Sequence, residues 1–266
     1  MKIVLVSMND PMYTIPFMKD IMHAFRDEIA LVVTVTKGNR MTLSKGKSKI
    51  AYLISLFLIM GLCEFFKSAI IQVWFKLRIL VSMHVVFVKS PELTCYAQEL
   101  GIKAMKIANP NSKCFLDLLE EINPDIIINQ SQAILKKRIL SLPRIGVLNR
   151  HNALLPKNRG RLTPFWVLLH GERHTGVSIH LMVEALDAGP IIVQKKYEID
   201  DKDNFNTLVR KNYQIASKAM IEAITLLADG FDDFIDNNDA DATYNSTPTL
   251  KDALRYRAKM IRRLLA

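Results

Sequence analysis

The chain has 266 residues, 50% of them hydrophobic, enough for a sizeable core in one large domain or one domain with an appendage. Its three cysteines, Cys63, Cys95 and Cys114, lie far apart with no C-x-x-C spacing, which argues against a disulfide framework or a zinc knuckle and fits a reducing cytoplasm. Lys and Arg exceed Asp and Glu by 36 − 26 = 10, a balance that favours anionic partners (nucleotides, polyglutamated cofactors, nucleic acid, acidic lipid) without choosing among them.

KIVLVS (2–7) is a β-branched run that reads as a first strand, because the amino terminus lacks the long apolar region and small-residue cleavage site of a secretory leader. VSMNDPM stands where a dinucleotide-binding chain carries G-x-G-x-x-G, so the usual phosphate cradle is absent. A segment with helical character leads to a second strand, IALVVTVT (29–36). The basic stretch TKGNRMTLSKGKSK (36–49) and the terminal RYRAKMIRR (255–263) hold much of the charge excess and read as solvated surface.

Residues 50–82 are strongly apolar, with an uncharged run of 14 residues from Ile50 to Cys63. That is short of the ~20 residues a membrane-spanning helix needs. One or two helices with polar edges are expected, their apolar faces covered by the core or by a second subunit. The alternative is peripheral contact with a membrane, helped by Trp74 and the preceding lysines.

The alternation then resumes. SPELTCYAQELG predicts a helix capped by Ser90, with Pro91 at its first position and Gly101 at its end. KAMKIA predicts a strand, Asn111 or Ser112 caps a helix through Ile122, and DIIIN (125–129) is short enough for a buried parallel strand. This pattern implies an open α/β sheet with ligands at the carboxyl ends of its strands.

IGVLN (145–149) is a further strand, and period two places Asn149 and His151 on the same side of it. TGVSIHLMVEALDAGPIIVQ (175–194) adds an alternating strand, a turn with Asp187 and Gly189, and another apolar strand. HGERH (170–174) offers histidines at i and i+4, but zincin and deaminase patterns are both incomplete, so no metal site is expected.

The string N149-R-H-N-A-L-L-P-K-N-R-G160, followed by L186-D-A-G189 with Asp187 at 187 − 151 = 36 positions after His151, resembles the 10-formyltetrahydrofolate-dependent formyltransferase family. That family includes methionyl-tRNA, glycinamide ribonucleotide and sugar-nucleotide formyltransferases. The resemblance runs from Met1 to about Asp229 and fits poorly over residues 40–88, with a weaker echo at 242–252. Ala153 stands where members often carry Ser.

The resemblance implies a Rossmann-like, open, mostly parallel sheet in a catalytic domain of residues 1–229. An inserted apolar helical segment at about 40–88 and a short extension, 230–266, ending in a basic helix complete the expected layout. It implies Asn149, His151 and Asp187 as the catalytic group and 10-formyltetrahydrofolate as formyl donor. Gln130, Ser131, Gln132, Ala133, Ile134, Leu154, Leu155 and Pro156 would line the pterin cleft, largely through main-chain groups. Arg159 and Gly160 would border the substrate cleft.

Formyl transfer develops an oxyanion and an ammonium as an uncharged amine attacks the formyl carbon. Asn149 can donate to the oxygen. His151 can act as oxyanion donor or as base, and Asp187 can orient the ring and raise its pKa. The expected acceptor is a small amine, anionic and most readily an amino sugar on a nucleotide carrier. Only 266 − 229 = 37 residues follow Asp229, fewer than a tRNA-binding barrel needs, so nucleic acid is not the expected partner. Hydrolysis of the formyl donor, and a non-catalytic module recruited to a membrane or complex, are the alternatives. A homo-oligomer is compatible with either.

Overall fold

The computed structural model describes residues 1–36, 48–131 and 133–265. Along the chain run β1 (Ile3–Ser7), α1 (Thr14–Ala24), β2 (Ile29–Val35), α2 (Lys49–Met60), α3 (Leu62–His84), α4 (Leu93–Glu99), β3 (Ala104–Ile107), α5 (Lys113–Ile122), β4 (Ile126–Gln130), α6 (Lys137–Leu140) and β5 (Gly146–His151). They are followed by β6 (Arg159–Gly160), α7 (Thr163–His170), β7 (His174–Leu181), β8 (Ile191–Glu198), α8 (Phe205–Ala228), β9 (Tyr244–Asn245) and α9 (Leu250–Leu265).

Seven strands form one sheet in the order β3-β2-β1-β4-β5-β7-β8. The pairs among β3, β2, β1, β4 and β5 are parallel, whereas β7 runs antiparallel to both β5 and β8. The α/β, mostly parallel architecture expected from the alternation is thus present, with its turn of direction between β1 and β4, where α/β sheets open a crevice at their carboxyl edge.

Both faces of the sheet are covered, which is why β1 and β4 open on unbroken apolar runs, residues 3–6 and 126–128, rather than alternating. Ile3, Leu5, Ile126, Ile128 and Leu148 pack toward α1, α4 and α8. Val4, Val6, Ile127 and Val147 face α5 and α6. A third cluster, built on Phe165, Leu168, Leu208 and Tyr256, fastens α9 and the end of α2 to α7 and α8.

Two expectations change. The helix predicted from Ser90 begins at Leu93: Ser90 Oγ donates to Glu92 Oε2 at 3.2 Å instead of capping the backbone, and Leu93 N donates to Asn9 Oδ1 at 3.1 Å. Residues 50–82 do fold as helices, joined at a sharp bend of 118°. The described residues cover α2 in part, burying Ser55 and Ile59 and half-burying Leu56, Phe57, Leu58 and Met60, whereas α3 buries Phe75 and leaves most of its other large apolar residues exposed.

The stretch after α8 returns to the sheet. Ile235 bridges Ile191, and β9 pairs in parallel with β6.

Candidate active site

β5 ends at the carboxyl edge of the sheet, and its pleat sends alternate side chains to opposite faces. Asn149 and His151 therefore share the face of Val147, and Arg150 points the other way, toward α1 and α8. The antiparallel register of β5 with β7 sets Asn149 opposite His180 and His151 opposite Ser178. The loop between β7 and β8 then brings Asp187 over the pair.

The Asp187 carboxylate lies between two imidazoles, with Oδ2 3.6 Å from His151 Nδ1 and Oδ1 3.8 Å from His180 Nε2. Each ring is fixed by a main-chain carbonyl at its other nitrogen: His151 Nε2 lies 2.8 Å from Asn158 O and His180 Nδ1 lies 2.9 Å from Leu181 O. A carbonyl only accepts, so those nitrogens carry the protons. In the neutral rings the bare nitrogens then face Asp187, and neither nitrogen–carboxylate contact holds a proton.

Burial holds both rings neutral. It pushes the His151 pKa down by more than the Asp187 carboxylate lifts it, with Arg150 and Arg159 adding to the depression. His180 is lowered in the same way, burial first, with the neighbouring His151 working against Asp187. The carboxylate does raise the imidazole pKa as anticipated, but desolvation exceeds its effect, so the net shift is downward.

Asp187 is itself held in place. Its φ is +51°, a left-handed conformation that Asp tolerates better than most residues. Gly160 N donates to its Oδ2 at 2.9 Å, and Asn237 Nδ2 donates to its carbonyl and to that of Gly189, both at 2.8 Å. Asn158, whose carbonyl receives His151, is also left-handed at φ +58°.

Asn149 is oriented from behind. Gln130 Nε2 donates to Asn149 Oδ1 at 3.2 Å, which turns Nδ2 outward, 3.4 Å from His180 Nε2. The Gln130 amide is in turn set by Arg150, whose Nε and Nη2 donate to Gln130 Oε1 at 3.1 and 2.9 Å. The same guanidinium donates to Asn152 Oδ1 and to Tyr213 Oη, and it stacks 4.0 Å over the Tyr213 ring.

The structure brings together Asn149, His151 and Asp187 and adds His180, which sequence reasoning missed. The signal was available: in GVSIH the residues Gly176, Ser178 and His180 alternate on one face of a strand that ends close to Asp187.

Other anticipated residues take different places. Gln130 is buried behind Asn149, and Ser131 Oγ is bonded to Asn129 Oδ1 while accepting from Ala133 N. Ile134 is exposed, with its carbonyl bonded to Asn111 Nδ2. Gln132 lies outside the described residues. Leu154 is half-buried; beside it, Leu155 N donates to Ser178 Oγ and Leu155 O accepts from Gln194 Nε2, which pins the loop around the cis Leu155–Pro156 bond.

Arg159 does not border a cleft. Its side chain is completely buried, donating to Asp239, Tyr244 and Asn237, because β6 is sealed by the returning carboxyl-terminal stretch. Gly160 faces Asp187 through its N–H rather than a ligand. Glu172 accepts from Asn158 Nδ2 at 2.7 Å. Among the described residues no group of His, Cys, Asp or Glu is arranged to hold a metal ion.

Comparison with known proteins adds three findings. The family model described as "Formyl transferase" matches residues 91–224. A methionyl-tRNA formyltransferase from Thermotoga neapolitana is 36% identical over 149 residues, 56% of this chain and 48% of that protein, so the chain matches about half the length of such relatives. Two solved structures share the fold at 14% identity. The phosphoribosylglycinamide formyltransferase of Anaplasma phagocytophilum has a TM-score of 0.58, covering 93% of this chain and 99% of that one. An N-formyltransferase from Helicobacter canadensis, in complex with folinic acid and dTDP-3-aminofucose, has a TM-score of 0.59, covering 97% and 80%.

Proposed function

Since the chain belongs to the formyl transferase family, its model matching half of the sequence, we propose that it transfers a formyl group from 10-formyltetrahydrofolate to the primary amine of a small anionic acceptor, an amino sugar on a nucleotide carrier. The observation that carries this reading is the Asp187 carboxylate set between His151 and His180, with the Asn149 amide alongside. Acyl transfer to an amine needs a donor for the oxygen that becomes negative and an acceptor for the proton the amine loses. Asn149 Nδ2 is the donor, its orientation fixed by Gln130. The bare ring nitrogens facing Asp187 are the acceptors, and the fixed tautomers define where the proton goes.

The role of His151 follows from its hydrogen bonds. With Nε2 committed to Asn158 O, a neutral His151 has no free N–H to offer an oxyanion, so it serves as a proton acceptor with Asp187. The residues around the site suit a flat polar heterocycle: Leu154 supplies partly exposed aliphatic surface, and the main-chain carbonyls of the loops after β4 and β5 can each accept a second hydrogen bond.

The acceptor is argued from charge. Arg150 is buried with no carboxylate in reach among the described residues, and the chain carries a net +10, so the site lies in a positive field that favours an anionic substrate. Incubation with 10-formyltetrahydrofolate and a panel of amino-sugar nucleotides, followed by mass spectrometry, tests the proposal. A gain of one formyl group on one acceptor supports it; formate release without acceptor turnover points to hydrolysis, and neither product removes the catalytic reading.

A further inference from the structure

The bent pair α2–α3 presents an apolar surface that the other described residues leave exposed. On α3, Leu62, Phe66, Ile70, Val73, Leu77 and Leu80 recur at spacings of three and four, which puts them on one face of the helix. All are exposed, Ile70 by 67% and Val73 by 66%. Trp74, 61% exposed, stands at the edge of the stripe, and Phe87 just beyond the helix is 96% exposed. So large a patch marks an interaction site rather than ordinary surface.

The charges around the stripe decide what it meets. At 100° per residue, Lys67 and Arg78 border one side of it and Lys76 the other, and all three are exposed. Glu64 is the only acidic residue between Ser48 and Lys89, and it lies toward the protein, where it pairs with Arg210 at 3.0 Å. A second copy of the chain docked on this stripe would bring Lys67, Lys76 and Arg78 against the same cations, a repulsion that Asp20 of α1, which shares a pocket with Trp74 and Arg78, offsets only in part. An anionic lipid surface instead takes the apolar stripe into its acyl boundary and the flanking cations among its headgroups. Among the described residues no single helix is long and apolar enough to cross a membrane, and although the bent pair α2–α3 together has the length and composition of a broken span, the exposed Lys67, Lys76 and Arg78 along α3 favour contact at the lipid surface over insertion.

We propose that α3, with the exposed face of α2, seats the protein on an anionic lipid surface. The helix is tied to the loop after β1: Phe75 is buried against the core, and Gln72 Nε2 donates to Asp10 Oδ1 at 3.1 Å. Asp10 lies in the loop after β1, at the same carboxyl edge of the sheet as Asn149, so docking holds that edge close to the membrane.

Flotation with phosphatidylcholine vesicles, with and without phosphatidylglycerol, tests the proposal on the full chain. Binding is expected on phosphatidylglycerol-containing vesicles, tighter than on phosphatidylcholine alone by roughly tenfold to a hundredfold at low salt. Trp74 emission should shift to the blue on binding, and the shift should vanish in Trp74→Phe. The Ile70→Glu/Leu77→Glu variant should lose binding. Lys67→Glu/Lys76→Glu/Arg78→Glu, at exposed positions where folding is not at stake, should lose the preference for phosphatidylglycerol. Absence of flotation on either vesicle, equal binding by the Ile70→Glu/Leu77→Glu variant, or a concentration-dependent dimer abolished by that variant would each overturn the proposal, the last in favour of a second copy.

Discussion

Asn149 on β5 and His180 on β7 are register partners across the antiparallel pair, with Asn149 Nδ2 3.4 Å from His180 Nε2. The contact makes His180 part of the same constellation as Asp187 and explains why a polar ring is tolerated with almost no solvent exposure. We expect His180→Phe to keep the ring volume but lose the acceptor that faces Asn149 and Asp187, lowering kcat by about 10²-fold. Asn149→Ala, which deletes the oxyanion donor, should cost about 10²–10³-fold. Steady-state rates of formyl transfer, with melting curves to verify folding, check both; a His180→Phe enzyme with unchanged kcat would remove His180 from the mechanism.

Two buried neutral histidines make stability depend on pH. The folded pKa values of His151 and His180 lie below the ordinary 6.5, so the unfolded chain binds protons that the folded chain refuses. Their contribution is fully present above pH 6.5 and is lost as pH falls from there toward the depressed folded values. The expected slope is about 1.4 kcal/mol per pH unit for each group inside that window. Urea unfolding across this range reads the effect. His180→Gln should flatten the slope, and an equally steep curve in that variant would assign the dependence elsewhere.

Gln130 gives a prediction that separates positioning from binding. Its Nε2 reaches Asn149 Oδ1 while its Oε1 accepts from Arg150, so the amide is locked in one sense. Gln130→Met removes the lock without touching Asn149. The expected result is a kcat lower by roughly 10-fold to 10²-fold with little change in KM for the formyl donor, since small misplacements of a reacting group are costly. A large rise in that KM at constant kcat would instead make Gln130 a ligand of the donor. Arg150→Met should share the kcat loss and cost stability as well, because it strips partners from Gln130, Asn152 and Tyr213 together.

The sheet was legible because its strands are short apolar runs with clear stops. KIVLVS, IALVVTVT, DIIIN and IGVLN each lie within a residue or two of an observed strand. Asn149, His151 and Asp187 were legible because they fall within short local strings. What sequence reasoning missed depends on contacts between distant segments. His180 joins the site only through the β5–β7 register. Arg159 was placed at a cleft because its loop borders the substrate cleft in the resembled family; its burial follows from Asn237, Asp239 and Tyr244, about 80 residues further along. The apolar stretch 50–82 was expected to be covered because apolar helices usually are, and the hydrophobic pattern alone does not say whether the covering surface belongs to the same chain.

Gly160 ties the carboxyl-terminal stretch to the chemistry. It sits at φ +108°, where side chains are strained, and a Cβ built on it would stand 2.1 Å from Asn245 O, a main-chain atom of the paired strand β9. Its N–H is also the donor that holds Asp187 Oδ2. Gly160→Ala must therefore push β6 and β9 apart and draw the N–H away from the carboxylate. We expect a loss of stability of about 1–3 kcal/mol from the forced backbone and, in the fraction that remains folded, a fall in kcat larger than any change in KM, because Asp187 is no longer fixed between the two imidazoles. Tyr244→Phe is the control: it removes one hydrogen bond to Arg159 without widening the β6–β9 contact, so it should cost only about 1 kcal/mol and leave kcat near that of the unaltered chain. Thermal melts read beside formyl-transfer rates distinguish the two effects, and a Gly160→Ala protein that is destabilised yet fully active would show that Asp187 keeps its place without the Gly160 N–H.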